Sequence, residues 1–288
     1  MFGISEIPKL PLSTFVENVK IAKHIQILET FTDLANNDIL FEKFSEAIKE
    51  ALRGDSRIEI LLIHPESEAA KQRAEELSRA IKPIKDVPEL IQKTLARFYR
   101  LETEKVGKDK IGTLEIKLYD AFPTIAMHKW DQEAYISFYP VNQRSDEAPN
   151  LKVSTLTTFG SYAASKFDEL WNEDSAIPLS SYMRLRVEVQ GEPEELLYYA
   201  FENTNRQALY ASCKFKDNFF SALEREKLCI VSFGKDKYEA EHTTLRLLDE
   251  KLQAIELINK RYDWKEREKY IDSDPRVFQI KLLKKKTN

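Results

Sequence analysis

The chain has 288 residues, of which 42% are hydrophobic and 32% charged, with a formal net charge of −4. That length holds one large domain or two modest ones with a substantial core. The acidic balance excludes a duplex-DNA binder that works through bulk positive charge, and only 7 glycines in the whole chain leave little material for Gly-built phosphate loops.

No apolar run approaches the ~20 residues of a membrane span. The opening MFGISEIPKLPLSTF lacks the basic leader of a signal peptide, so the expected place is the cytoplasm, with no membrane partner. Cys213 and Cys229 sit in apolar surroundings and read as reduced, buried thiols.

In chain order, residues 1–22 hold Pro8 and Pro11 without periodicity and read as an N-terminal arm laid over the surface. HIQILETF (24–31) is partly alternating and rich in strand formers. A helix follows from Asp38, with Ile39, Leu40, Phe44, Ala47, Ile48, Ala51 and Leu52 at helical steps and Gly54 at its end. RIEILLI (57–63) is a nearly continuous apolar run, as in a strand of a parallel sheet covered on both faces. A charged helix from about Ser67 to Ala80 is broken at Pro83 and Pro88 and resumes to Leu101. TLEIKLYDAFPTIAMHKWDQEAYISFY (113–139) predicts a strand, a turn at Ala121-Phe122-Pro123, and a hairpin with Asp131-Gln132 at its tip. A polar loop at 142–150 leads to an amphipathic helix at 157–171, and 172–178 is the expected boundary.

In the second half, MRLRVEVQ (183–190) alternates as a half-exposed strand. Gly191-Glu192-Pro193 is expected to open a helix to about Asn205, with Tyr198, Tyr199 and Phe201 on it. Then come a strand (207–213), a helix (217–226), a strand (228–233), a long helix (237–260) carrying His242, and a last strand (276–283) before Lys284–Lys286. Both halves thus spell β-α-β-α-β. The expected class is α/β, with mainly parallel sheets flanked by helices in two pseudo-repeats. The expected division is an arm (1–22), an α/β half (23–175) and a second α/β half or α+β domain (176–288).

Ligands of open α/β sheets bind beyond the carboxyl ends of strands. His64, Glu66 and Ser67 follow such a strand, at a helix N-terminus able to hold an anion, and with His128 they form the candidate ligand site. Arg184 and Arg186 share one strand face and form a candidate phosphate patch. The aromatic residues 198, 199 and 201 are a candidate partner surface. No GxGxxG, Walker loop, CxxC, HExxH or GxSxG occurs, and four scattered histidines argue against zinc; no metal or cofactor is expected.

IEILLIHPESEAAKQRAEE, TLEIKLYDAFPTIAMHKWDQEAYISFYP and FGSYAASKFDELW together resemble a divergent branch of the phospholipase D superfamily, one that occurs as a domain in bacterial regulators and sensors. The resemblance covers roughly Lys23–Glu173. It implies a duplicated sheet and two His-any-Lys motifs, each followed by an Asp, that meet across a pseudo-twofold axis. In such a site one imidazole attacks phosphorus, the other protonates the leaving oxygen, and lysines stabilise the phosphoryl oxygens. Here His128 and Lys129 are adjacent, so a strand aims them at opposite faces, and Asp131 lies two residues past the lysine. The expected function is therefore non-catalytic: a ligand-sensing or interaction module in bacterial regulation or defence. A nucleotide or phosphorylated small molecule, a protein partner or self-association is the anticipated company; nucleic acid is not supported by net charge. The alternatives are a metal-independent phosphodiesterase or nuclease that pairs His128, Lys129 and Asp131 across a homodimer, and a partner-docking scaffold.

Overall fold

The computed structural model describes residues 3–80, 83–84, 86–103, 111–122, 124–142, 148–203, 205–213, 217–264 and 276–286. The chain divides into two compact units, 1–178 and 179–288.

Unit 1 is built on one sheet of eight strands, flanked by helices. In chain order its elements are β1 (Ile4–Ile7), α1 (Leu12–Val19), β2 (His24–Glu29), α2 (Asp33–Asn36), α3 (Asp38–Arg53), β3 (Arg57–Ile63), α4 (Glu68–Ser78), α5 (Val87–Thr103), β4 (Thr113–Tyr119), β5 (Ile125–Trp130), β6 (Glu133–Phe138), β7 (Asn150–Ser154), α6 (Thr158–Asn172) and β8 (Ile177–Pro178). The sheet order is β1-β7-β6-β5-β2-β3-β4-β8. Only β2-β3 and β3-β4 pair in parallel; β1-β7, β7-β6, β6-β5, β5-β2 and β4-β8 are antiparallel.

The parallel centre follows from the sequence. Every residue of β3 after Arg57 is buried, as a strand covered on both faces requires. Helix α3 starts where Asn37 accepts the Leu40 amide on its side chain, ends at Gly54, and buries Phe41, Phe44, Ala47 and Ile48. The antiparallel part is where the mainly parallel expectation fails. A hairpin (β5-β6) and β7 join one edge of β2, because tight turns make antiparallel neighbours without a crossover helix. The expected arm is also corrected: β1 adds to β7, and α1 buries Phe15, Val16 and Val19.

Unit 2 holds α7 (Leu179–Met183), β9 (Leu185–Glu188), β10 (Glu195–Phe201), β11 (Ala208–Cys213), α8 (Asp217–Arg225), β12 (Leu228–Phe233), β13 (Asp236–Thr244), α9 (Leu248–Arg261) and β14 (Arg276–Lys285). Its strands close into an antiparallel barrel in the order β10-β11-β14-β13-β12-β9. The second β-α-β-α-β repeat is therefore overturned. Alternate residues fill the interior: Leu185 and Val187, Leu197 and Tyr199, Leu209 and Ala211, Phe278 and Ile280. Phe219, Phe220 and Leu223 of α8 belong to the same core, and the Phe220 ring stacks on Phe278 at 4.9 Å.

Two expected helices are strands. Residues 195–201 form β10, where alternation buries Leu197 and Tyr199 in the barrel. The expected helix 237–260 is a strand to Thr244 and a helix only from Leu248. Gly234, at φ 58°, turns β12 back into β13, which a helix over 237–244 would forbid. Cys229 is a buried thiol whose pKa burial pushes up to about 12; the side chain of Cys213 is not among those described.

Candidate functional site

The sheet of unit 1 changes from parallel to antiparallel at β2, and a cavity lies beyond that strand's carboxyl end. Open sheets bind ligands at such a position. The cavity, of about 80 Å³, is lined by Glu29 and Thr30 from β2 and its extension, Thr32 and Asp33 at α2, Arg73 and Leu77 of α4, Ser137 and Tyr139 of β6 and its extension, Asn150 of β7, and Lys9, Leu10 and Leu12 from the crossing between β1 and α1. A wider cleft of about 520 Å³ shares Lys9, Leu10, Leu12 and Asp33 with it.

Its floor is polar and buried. Glu29 ends β2 at 6% exposure. The Tyr139 hydroxyl donates to Glu29 Oε2 at 2.8 Å and receives the Thr30 amide at 3.2 Å. Burial, reinforced by Asp33, raises the Glu29 pKa to about 8 against the Tyr139 hydrogen bond, so its carboxyl is protonated at neutral pH. Arg73 gives Nη1 to Glu76 at 3.1 Å and to the Pro140 carbonyl at 3.1 Å, and its guanidinium lies over the Tyr139 ring at 5.1 Å. Ser137 donates to Asn150 Oδ1 at 2.5 Å, and Asn150 donates to the Ala148 carbonyl at 3.0 Å.

The residues singled out from sequence lie elsewhere. His128 is 1% exposed, edge-on to the Phe15 ring at 5.0 Å, with Nε2 3.6 Å from Glu29 Oε1. Burial lowers its pKa to about 3, so it is neutral. Its ring makes no hydrogen bond among the described residues. Lys129 points to the other face, where Nζ lies 3.3 Å from His24 Nδ1. There His24 and Gln26 hydrogen-bond Glu59 at 2.9 and 3.0 Å, and Gln26 reaches Asp168 of α6 at 3.4 Å. Burial works against the Glu59 carboxylate, but bonds from His24, Gln26 and Arg57 hold its pKa at about 2. Asp131, at φ 47°, accepts the Lys23 and His24 amides on Oδ1 at 2.9 and 3.0 Å, and thus fastens the hairpin tip to the start of β2.

His64, Glu66 and Ser67 build the start of α4. The Glu66 amide donates to His64 Nδ1 at 3.2 Å, and Ser67 Oγ accepts the Ala70 amide at 3.0 Å as the cap. His128 is not brought to them; it faces Glu29. In unit 2, Arg184 donates through Nε to the Leu197 carbonyl at 3.2 Å and lies over the Tyr198 ring at 4.0 Å. Arg186 pairs with Glu194 at 3.1 Å. Tyr199 is buried in the barrel, where its hydroxyl donates to the Tyr182 carbonyl at 2.7 Å and receives Arg261 at 2.8 Å. Of the cavity's residues, Glu29 carried a signal that went unread: an acidic residue closing a buried, β-branched strand. Tyr139 and Arg73 carried none, since their meeting depends on the hairpin.

Among the described residues, no group of three or more His, Cys, Asp and Glu side chains is placed to hold a metal ion, and no helix is long and apolar enough to cross a membrane. No family model and no curated protein matches the chain. Among solved structures, one similar to part of it is that of TrmBL2, an archaeal chromatin protein described as showing a novel mode of DNA binding. The similarity amounts to 14% identity over 59% of this chain and 52% of that one, with a TM-score of 0.35. The chain thus spans about half the length of that protein, and likeness at this level carries no argument about function.

Proposed function

We propose that the chain is a non-catalytic ligand-sensing module whose ligand enters the cavity at the carboxyl end of β2. The observation that carries this reading is the floor of that cavity: Glu29, Arg73, Ser137 and Asn150 are all buried, at 6%, 5%, 3% and 0% exposure, yet all line one space. Each is hydrogen-bonded, as a buried polar group must be, and their gathering around one space at a strand end is what supports the reading. The phosphodiesterase alternative has less behind it, because its imidazole is sealed against Phe15 and its lysine faces the other side of the sheet. The resemblance to domains of bacterial regulators and sensors agrees with a sensing role and supplies the expectation of regulation or defence.

The test is a thermal-shift screen of the full chain against nucleotides, phosphorylated metabolites, simple organic acids and uncharged metabolites. A ligand present at about 100 times its Kd should stabilise by about 2.7 kcal/mol, a shift of several degrees. Tyr139→Phe, which removes the hydroxyl on Glu29 and keeps the ring, should reduce the shift. A flat response across the whole screen refutes the sensing role.

A further inference from the structure

On the face of the unit 1 sheet opposite Glu29 and His128, we infer that Lys129 is a reactive amine that captures a small uncharged aldehyde as a reversible imine, with His24 as its base and Glu59 orienting that base. Strand pairing brings the three together. Gln26 of β2 lies opposite both Glu59 of β3 and Lys129 of β5, and His24, two residues back, shares their face. Glu59, 3% exposed, accepts His24 and Gln26 on Oε2 at 2.9 and 3.0 Å and Arg57 on Oε1. An ionised carboxylate only accepts, which puts a His24 hydrogen on Nε2. Lys129 Nζ, which only donates, lies 3.3 Å from Nδ1, so that nitrogen accepts. A lysine kept merely to balance Glu59 would bond the carboxylate. Here the carboxylate is taken by His24, Gln26 and Arg57, and the lysine's hydrogen-bond partner among the described residues is the imidazole. A nucleophile within reach of a base that a third group orients is the arrangement that activates it.

The surroundings suit that chemistry. Lys129 is 6% exposed, and burial lowers its pKa against the charges of Asp168, Asp131 and Glu59. His24, with 38% of its side chain exposed, and the exposed Asp168 keep the amine next to solvent. In the capture, His24 Nδ1 removes a proton from the ammonium, and the freed electron pair bonds the carbonyl carbon. A second proton then leaves the nitrogen. His24 hands both protons to the carbonyl oxygen, which departs as water. The nitrogen keeps one hydrogen and the positive charge, and nothing is oxidised or reduced. Charge selects the partner. A protonated imine preserves the cation on which Glu59, Asp168 and Asp131 act, whereas acylation would erase it. The same carboxylates oppose an anionic aldehyde, which leaves the uncharged ones.

Reductive trapping on the full chain tests the inference. Propionaldehyde, or glyoxylate as the anionic probe, is added at low concentration with sodium cyanoborohydride near neutral pH, and peptide mapping by mass spectrometry locates the trapped amines. Lys71, with 60% of its side chain exposed, is the internal reference. Propionaldehyde should mark Lys129 about ten times faster than Lys71, or more. Relative to Lys71, glyoxylate should mark Lys129 more slowly than propionaldehyde does. His24→Phe should slow trapping at Lys129 by about a hundredfold and leave Lys71 unchanged. Lys129→Arg, which keeps the charge, should lose the fast-trapped fraction of the intact mass. Near-UV circular dichroism confirms that each variant is folded, and the comparison of Lys129 with Lys71 is read in the unsubstituted chain. Trapping at Lys129 no faster than at Lys71, an unchanged rate in folded His24→Phe, or a preference for glyoxylate overturns the inference. Each of these results leaves the sensing cavity to its own thermal-shift test.

Discussion

At the scale of single residues, Glu29 and His128 form a pair in which burial has discharged both partners. Their pKa values move in opposite directions, to about 8 and about 3. The consequence for stability follows from proton linkage. Folded Glu29 keeps a proton that the unfolded carboxyl, with its ordinary value of 4.5, releases, so its contribution is full below pH 4.5 and declines up to about pH 8. Folded His128 refuses a proton that the unfolded ring accepts at 6.5, so its contribution is full above pH 6.5 and declines down to about pH 3. Between pH 4.5 and 6.5 the two slopes oppose each other and cancel. Outside that window each acts alone, at about 1.4 kcal/mol per pH unit, and Glu59, held at about 2, steepens the acid side. Urea denaturation across the pH range should therefore trace a flat-topped curve. Glu29→Gln should remove most of the alkaline decline, and His128→Phe about half of the decline between pH 4.5 and 3, the rest belonging to Glu59. An alkaline limb unchanged in Glu29→Gln would show that the carboxyl is ionised in the folded protein.

At the scale of elements, the hairpin β5-β6 depends on its tip. Asp131 combines a left-handed backbone, at φ 47°, with two amide bonds to Lys23 and His24, and its own amide donates to the His24 carbonyl at 2.8 Å. Asp131→Ala keeps neither the carboxylate nor a tolerance for that backbone, and should cost about 2–3 kcal/mol. Asp131→Asn retains an acceptor and the tolerance, and should cost under about 1 kcal/mol. Equal losses in chemical denaturation would mean that the tip does not fix the register. This hairpin was legible in the sequence because its turn residues interrupt two apolar runs. The strands β10 and β13 were not, because ELLYYAF and DKYEAEHTT carry helix formers among their strand formers, and barrel closure decides between them. The cavity was legible only in kind, as a strand end. His64 follows a strand too, but its ring accepts the Glu66 amide in the turn into α4, and the polar cavity lies at the end of the neighbouring strand.

At the scale of the whole molecule, local pattern located the parallel trio β2-β3-β4 and its helices, since each piece is specified by residues close in sequence. The sheet's antiparallel wing and the barrel are specified by pairings between distant segments, such as β1 with β7 and β11 with β14, and no window of a dozen residues contains that information. The same distinction yields a thermal prediction. Each unit carries its own apolar core: Ile25, Ile27 and Ile60 in one, Leu197, Tyr199 and Phe278 in the other. Chains with two cores depart from a single two-state transition. Ile27→Ala should cost unit 1 about 2–5 kcal/mol through the cavity it leaves. Arg261→Met should strain unit 2, because it strips hydrogen bonds from the buried Tyr199 hydroxyl and the Tyr182 carbonyl. Differential scanning calorimetry should then resolve two components, with each substitution lowering a different one. If both variants move one common transition by the same amount, the two cores melt as a single cooperative body.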